Sequence, residues 1–402
     1  MKLVLFLIAF TFYSFSCEVN SIHSELLQHA QDFSNELSPS INEQICNEFS
    51  EIETDDELKK HINVLVQNQT NEIWKIKNRH DMGNALNECS PTKNSKGLVI
   101  SFAGTGAFNP RTHSLMAKLI KCESIQSLPE WMKKHLYAKV LNSLKSKGSS
   151  YTKWSGIEKG IMSEMILNPE LNKESRNLNF AIFPSEESEL IADPDKINFS
   201  KLKDITKEMS KSYAGFPTGI KNALGCAVTY FSEAKELGIK PNLIVISHSS
   251  GGRSVVKFLE KLKLFLPEQD AELVMTIDPV KEAHHAIQEV ASQYAGKVGD
   301  EILDYIPFVD IDNDKPVNVW TRKQPKTLYK TSNSVKWINF YQNVDSHGLG
   351  MAPKFGIHGS PIENADNNYF IKGLGNKAHG EICYDEEVIN KMNKAILNSL
   401  LN

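Results

Sequence analysis

Residues 242–258 read NLIVISHSSGGRSVVKF. The opening run, Leu243-Ile244-Val245-Ile246, is apolar and β-branched, the pattern of a strand buried on both faces of a parallel sheet. Small residues follow, Ser247-His248-Ser249-Ser250-Gly251-Gly252, and then an amphipathic segment carrying Val255, Val256, Phe258 and Leu259. Strand, small-residue turn and helix in that order are the context that a nucleophile elbow of the G-x-S-x-G type requires. Here the pattern is Ser247-x-Ser249-x-Gly251. On so sharp a turn the residues two before and two after the serine lie close together and must be small. Gly251 meets that demand. Ser247 departs from the usual glycine but is still small. Centring the turn on Ser250 would put the bulkier His248 at the earlier position, so Ser249 is the candidate nucleophile. A Ser/Gly turn that only ends a buried strand has the same local appearance.

At 402 residues, 41% hydrophobic and 23% charged, the composition is that of a globular chain. A formal charge of −4 gives no basic signature for nucleic acid. Residues 1–16 combine Lys2, a short apolar run and a small-x-small site at Ser14-Phe15-Ser16, which reads as a signal peptide of an exported protein. The run is too short to span a bilayer as a helix. Cleavage before Cys17 leaves lipoprotein anchoring there as the alternative, although Ser14 stands where a lipobox prefers Leu. None of the six cysteines has C-x-x-C spacing, which argues against a structural zinc site. An exported chain can carry disulfides. Cys46 with Cys89 is the expected pair, and Cys226, in an apolar helical run, reads as a buried thiol.

Residues 17–94 read as a helical extension, with a capping box at Thr54-Asp55-Asp56-Glu57; a separate binding module is the alternative. The sheet is expected to start at Gly97–Phe102, followed by the loop Ala103-Gly104-Thr105-Gly106-Ala107. No G-K-[ST] follows that loop, so it is not a P-loop. Residues 110–176 read as mostly helical, a cap or lid whose apolar residues form its own core or meet an acyl chain. Further strands are expected at 179–184, 273–277 and 337–342. A helix at 216–237 ends at Gly238, and a last helix starts near Asp385. Strands alternating with helices argue a parallel sheet. Asp278-Pro279 caps the strand after the elbow helix, where an acid can orient a histidine; an Asx-Pro turn is the plainer reading. His284 and His285 lie in a helical run. Asp310-Ile311-Asp312-Asn313-Asp314 resembles the start of a calcium loop, but Lys315 and Thr321 replace the required Gly and Glu, so it reads as a solvated acidic turn.

The elbow, the Asp-Pro strand end and the late histidine together resemble the α/β-hydrolase family, in particular its lipases and esterases, over roughly residues 95–402. The resemblance implies an α/β fold with a mostly parallel sheet, helices on both faces and a helical cap. It also implies a triad in the order Ser, acid, His, which Ser249, Asp278 and His379 satisfy. His379 falls after the last expected strand and before the terminal helix, the family's position for the base. His358 and His347 are the alternative bases, and Asp345 is the alternative acid. His248 is expected to pack under the elbow. The Gly104–Gly106 loop would supply oxyanion donors from Thr105 or Gly106, joined by the N–H of Ser250. The implied activity is hydrolysis of carboxylic esters through an acyl-enzyme, without cofactor or metal. The substrate would be a small-molecule or lipid ester, and the cap would be the surface that meets a membrane. A hydrolase-like scaffold that binds without catalysis, and a peptidase of the same fold, are the competing readings.

Overall fold

The computed structural model describes residues 86–104, 108, 110–129, 131, 133, 156–185, 218–280, 328–343, 346–347, 356–357, 359–374 and 378–401, with residues 54, 56, 57 and 60 from the N-terminal extension. Six strands form one sheet. They are β1 Gly97–Ala103, β2 Leu178–Pro184, β3 Asn242–His248, β4 Ala271–Ile277, β5 Ser334–Tyr341 and β8 Asn367–Phe370. Their order is β2-β1-β3-β4-β5-β8, and every pairing is parallel. A separate two-residue pair, β6 Ser346–His347 and β7 Gly356–Ile357, is antiparallel. The helices are α1 Pro110–Lys121, α2 Ser163–Leu167, α3 Pro169–Ser175, α4 Thr218–Glu236, α5 Gly251–Phe265, α6 Ala378–Glu381 and α7 Glu386–Leu401. The α/β class with a parallel sheet is therefore observed.

Burial on both faces explains the unbroken apolar strands. Val99, Phe180, Ile246, Met275 and Phe340 join α1, α2 and α7 in one core cluster. Their neighbours Leu98, Phe183, Val245, Val274 and Trp337 join α4 and α5 in the other. The period-2 alternation along each strand sends successive side chains into opposite cores. Each fully buried aliphatic or aromatic side chain contributes about 1.5–3 kcal/mol relative to exposure. Phe102 ties α5 to the centre of the sheet, with ring centroids 5.5 Å from Phe258 and 6.2 Å from Phe183.

The chain leaves β1 to one side to make β2, then returns across it to make β3 on the other. Order reverses there, so the carboxyl ends of β1 and β3 flank the crevice in which open α/β sheets bind ligands.

Several expectations change in the structure. The described end of the N-terminal extension, residues 87–94, is not helical. It runs along the outer edge of β2 and satisfies that edge with a mixture of backbone and side-chain groups. Glu88 N–H donates to Phe180 O (3.0 Å), Phe180 N–H to Glu88 Oε2 (2.9 Å), Ile182 N–H to Asn87 Oδ1 (2.8 Å) and Asn87 Nδ2 to Ile182 O (3.1 Å). Covering an edge in this way protects it from pairing with other chains. The capping box is present. Thr54 N–H donates to Glu57 Oε2 (2.9 Å) and Glu57 N–H to Thr54 Oγ1 (3.3 Å).

Because 87–92 lies beside β2, and α4 packs on the same core, Cys89 meets Cys226 rather than Cys46. The two form a disulfide with a Cα–Cα distance of 4.9 Å. Cys226 is thus buried but not a thiol. Cys122 is also disulfide-bonded, and Cys383 is a buried free thiol. Cys17, Cys46, residues 1–16, His284, His285 and 310–314 lie outside the described residues. The described parts of 110–176 belong to the helical layer of the sheet: Leu115, Leu119, Ile161, Met162 and Met165 sit in its core. Residues 134–155, the middle of the expected 110–176 cap, lie outside the described residues. Strand β8 is an addition, and His379 sits in the one-turn helix α6 rather than in a loop. Helix α7 starts where expected, with Asp385 Oδ1 accepting from the N–H groups of Glu387 (3.0 Å) and Val388 (3.3 Å).

One turn of π-helix, Glu158–Met162, precedes α2. Glu158 is 1% exposed, and its Oε1 has no hydrogen-bond partner. Burial pushes its carboxyl up to about 8, against the opposing pull of its backbone hydrogen bond and Lys159. Between the ordinary carboxylate range and about 8, the folded state keeps this proton while the unfolded state releases it. Stability is therefore full at low pH and falls as pH rises through 8. Glu158→Gln removes that loss. Urea midpoints at pH 5 and pH 9 should show the variant gaining on the natural protein at the higher pH by on the order of 4 kcal/mol.

Candidate active site

Ser249 and Asp278 each stand one residue beyond a strand, after β3 and β4. Both have positive φ, 58° and 47°; the third such non-glycine residue among those described, Asn364, is exposed. A left-handed L-residue costs about 1–3 kcal/mol and persists only where its surroundings over-determine it. At Ser249 they do. Its N–H donates to Ile277 O (3.0 Å), and its carbonyl accepts from Gly252 N–H (3.1 Å) and Val280 N–H (3.2 Å). The elbow is thereby bonded to both sides of the strand end that carries Asp278. Asp278 N–H in turn donates to Phe340 O (2.7 Å).

The demand for small residues is visible around the turn. A Cβ on Gly251 would collide with the Phe102 carbonyl, and one on Gly104 would fall 2.8 Å from Ser249 Cβ. Ser247 is fully buried and is accommodated at the earlier position. Helix α5 begins directly after Ser250, so its N-terminal dipole favours negative charge beside Ser249. Ser250 Oγ and Ser185 Oγ share a 2.7 Å hydrogen bond.

His379 joins the two strand ends. Its Nδ1 lies 2.5 Å from Asp278 Oδ2, and its Nε2 lies 2.8 Å from Ser249 Oγ. A carboxylate only accepts, so Nδ1 carries the hydrogen and Nε2 accepts from the Ser249 hydroxyl. All three side chains are buried, with Asp278 fully so. Burial opposes the Asp278 charge. The hydrogen bond and charge of His379, with the Gln342 amide, outweigh it and hold the carboxyl below its ordinary range.

Two residues whose roles sequence reasoning missed complete the acid's environment. Gln342 donates through Nε2 to Asp278 Oδ2 (2.8 Å) and through its N–H to Oδ1 (3.2 Å). Gly359 donates its N–H to Oδ1 at 2.7 Å, and a Cβ there would collide with the same oxygen. Behind them, Asn339 on β5 is fully buried. It accepts from Thr276 Oγ1 (2.9 Å) and donates to Ser360 O (3.0 Å) and Asn368 Oδ1 (2.8 Å). This network pins the loop that presents Gly359.

Ser249, Asp278 and His379 are therefore brought into one hydrogen-bonded line. Ser250 lies at the start of α5 beside it. Thr105, Gly106, Asp345 and His358 lie outside the described residues, and His347 is described only as part of β6. Among the described residues no group of three or more His, Cys, Asp or Glu side chains is arranged to hold a metal ion. No protein-family model matches the chain, and no curated protein matches it.

Proposed function

We propose that this protein is a serine hydrolase of the α/β-hydrolase family that cleaves carboxylic esters through an acyl-enzyme. The observation that carries the reading is the line Ser249 Oγ, His379 Nε2, His379 Nδ1, Asp278 Oδ2, with its 2.8 Å and 2.5 Å links. Its position at the carboxyl ends of β3 and β4, beside the reversal in strand order, adds support. In this reading Ser249 Oγ attacks the ester carbonyl carbon while His379 Nε2 takes its proton. Asp278 stabilises the imidazolium and fixes the tautomer. The N–H of Ser250 and the N-terminus of α5 stabilise the developing oxyanion, and the N–H groups of Thr105 or Gly106 are the proposed second donors. The imidazolium then gives its proton to the leaving alcohol oxygen, and the carbonyl re-forms as that bond breaks. Water, deprotonated by His379, attacks the acyl-Ser249 and releases the acid.

The acyl side is proposed as apolar, with a cap over the site contributing to its binding and meeting a membrane surface. The protein is proposed to act outside the reducing cytosol, a location that the Cys89–Cys226 disulfide supports. The test is turnover of p-nitrophenyl esters from acetyl to palmitoyl. The expected result is hydrolysis that improves with chain length up to a limit. A folded protein that hydrolyses none of them, with or without detergent, overturns the reading.

A further inference from the structure

His248 immediately precedes the nucleophile, and the mechanism above gives it no role. Its Nε2 lies 2.8 Å from the backbone carbonyl oxygen of His379. A carbonyl cannot donate, so Nε2 carries the hydrogen and His248 donates. The other nitrogen, Nδ1, is buried and has no hydrogen-bond partner. It faces a tight wall. A Cβ added at Gly156 would fall 2.5 Å from Cys383 Sγ and 3.6 Å from His248 Nδ1. There is no room at Gly156 for a larger side chain, and among the described residues Nδ1 meets no acceptor that would favour the opposite tautomer. The His248 and His379 rings lie face to face, tilted by 33° with centroids 4.7 Å apart.

The carbonyl that His248 holds belongs to α6, a helix of only four residues. One turn has no appreciable stability of its own, because nucleation fixes several dihedrals for a single hydrogen bond. Such an element must be anchored from outside if its side chain is to keep an angstrom-scale position. Ser249 is fixed by the backbone of β3 and β4, whereas His379 arrives from a different part of the chain.

We propose that His248 is the positioning residue that fixes His379 against the nucleophile, by donating its Nε2–H to the His379 carbonyl and by supporting the imidazole with its own ring. Nucleophile and base are thereby registered through two adjacent residues, His248 and Ser249. A neutral ring suits this role, since a charged one would oppose the imidazolium that forms beside it. Burial first, and then the neighbouring His379, push His248 down to about 4, while its hydrogen bond to the His379 backbone works the other way.

This inference rests on the hydrolase reading, so its test has one arm that does not depend on catalysis. His248→Phe keeps a flat ring and removes the donor. His248→Gln returns an amide N–H close to the position of Nε2. The first readout is the low-field proton NMR signal of the Asp278–His379 hydrogen bond, with unfolding midpoints confirming that both variants are folded. The second is the rate of Ser249 labelling by a fluorophosphonate. The expected result is a displaced or broadened low-field signal and labelling slowed about 10- to 100-fold in His248→Phe, because misplacing a catalytic group by an angstrom has effects of that order. His248→Gln should restore both to within about threefold of the natural protein, well inside that range. A folded His248→Phe protein with the natural signal and rate overturns the proposal, as does a folded His248→Gln protein as impaired as His248→Phe. If the natural protein is not labelled, the hydrolase reading fails, and the low-field signal alone decides whether His248 positions His379.

Discussion

Ser249→Ala should lower ester turnover by about 10⁵- to 10⁶-fold, and His379→Ala should lower it nearly as much. The double variant should be scarcely worse than either single one. The reason lies in the geometry. In the proposed mechanism Ser249 Oγ is activated by His379 Nε2, which lies 2.8 Å away, so neither residue acts without the other. Groups that act as one unit give non-additive losses, whereas independent contributions would multiply. The activity left in each variant should be similar, since the N-terminus of α5 and any bound substrate contacts remain in all three. The measurement is kcat/KM for the three variants on one ester. Losses that multiply in the double variant would contradict a shared proton relay.

Asp278→Asn should reduce kcat by about 10⁴-fold with little change in KM. Both oxygens of Asp278 are accepting: Oδ1 from the N–H groups of Gln342 and Gly359, and Oδ2 from Gln342 Nε2 and His379 Nδ1. An amide fits the same volume but has a single acceptor oxygen. Two backbone donors, which cannot turn away, will claim that oxygen at the Oδ1 position. The NH₂ group then faces His379 Nδ1. Gln342 can turn its amide to accept, but His379 can accept only by moving its hydrogen to Nε2. That hydrogen would then point at Ser249 Oγ and remove the base. The substitution also removes a charge whose ionisation the site favours. A carboxyl held below its ordinary range contributes stability at neutral pH that is lost as pH falls through its folded value. The stability of Asp278→Asn should accordingly depend less on pH at the acidic end. A variant with undiminished kcat would mean that Asp278 is only a structural turn residue.

The parts of the site carried by single strands were legible in the sequence. The apolar run of β3 and the small residues after it mark the elbow, and Asp278 follows the next apolar run in the same way. His379 was harder, because His347 and His358, in the Gly-rich loop before it, were alternative bases. Its position after the last expected strand and before the terminal helix, where the resemblance puts the base, singled it out. Gln342 and Gly359 were not legible as site residues. One ends a strand and the other sits in a loop, and only the folding of that loop onto β4 turns their N–H groups toward Asp278. Strand β8 was missed because Asn367–Phe370 is four residues long, half-exposed and partly polar, and lies at the edge of the sheet. The Cys89–Cys226 pairing depends on a stretch expected to be helical running instead beside β2, a long-range placement that no local periodicity reveals. The role of His248 was hidden for a similar reason: its partner is a backbone carbonyl 131 residues away.

Ser249 as the nucleophile is tested most directly by reaction of the protein with a fluorophosphonate ester, followed by peptide mapping. The expected product carries one phosphonylated residue, Ser249, with labelling absent in Ser249→Ala and strongly slowed in His379→Ala. A well-folded protein that remains unlabelled in the presence of detergent, or one labelled at Ser250 instead, would contradict it.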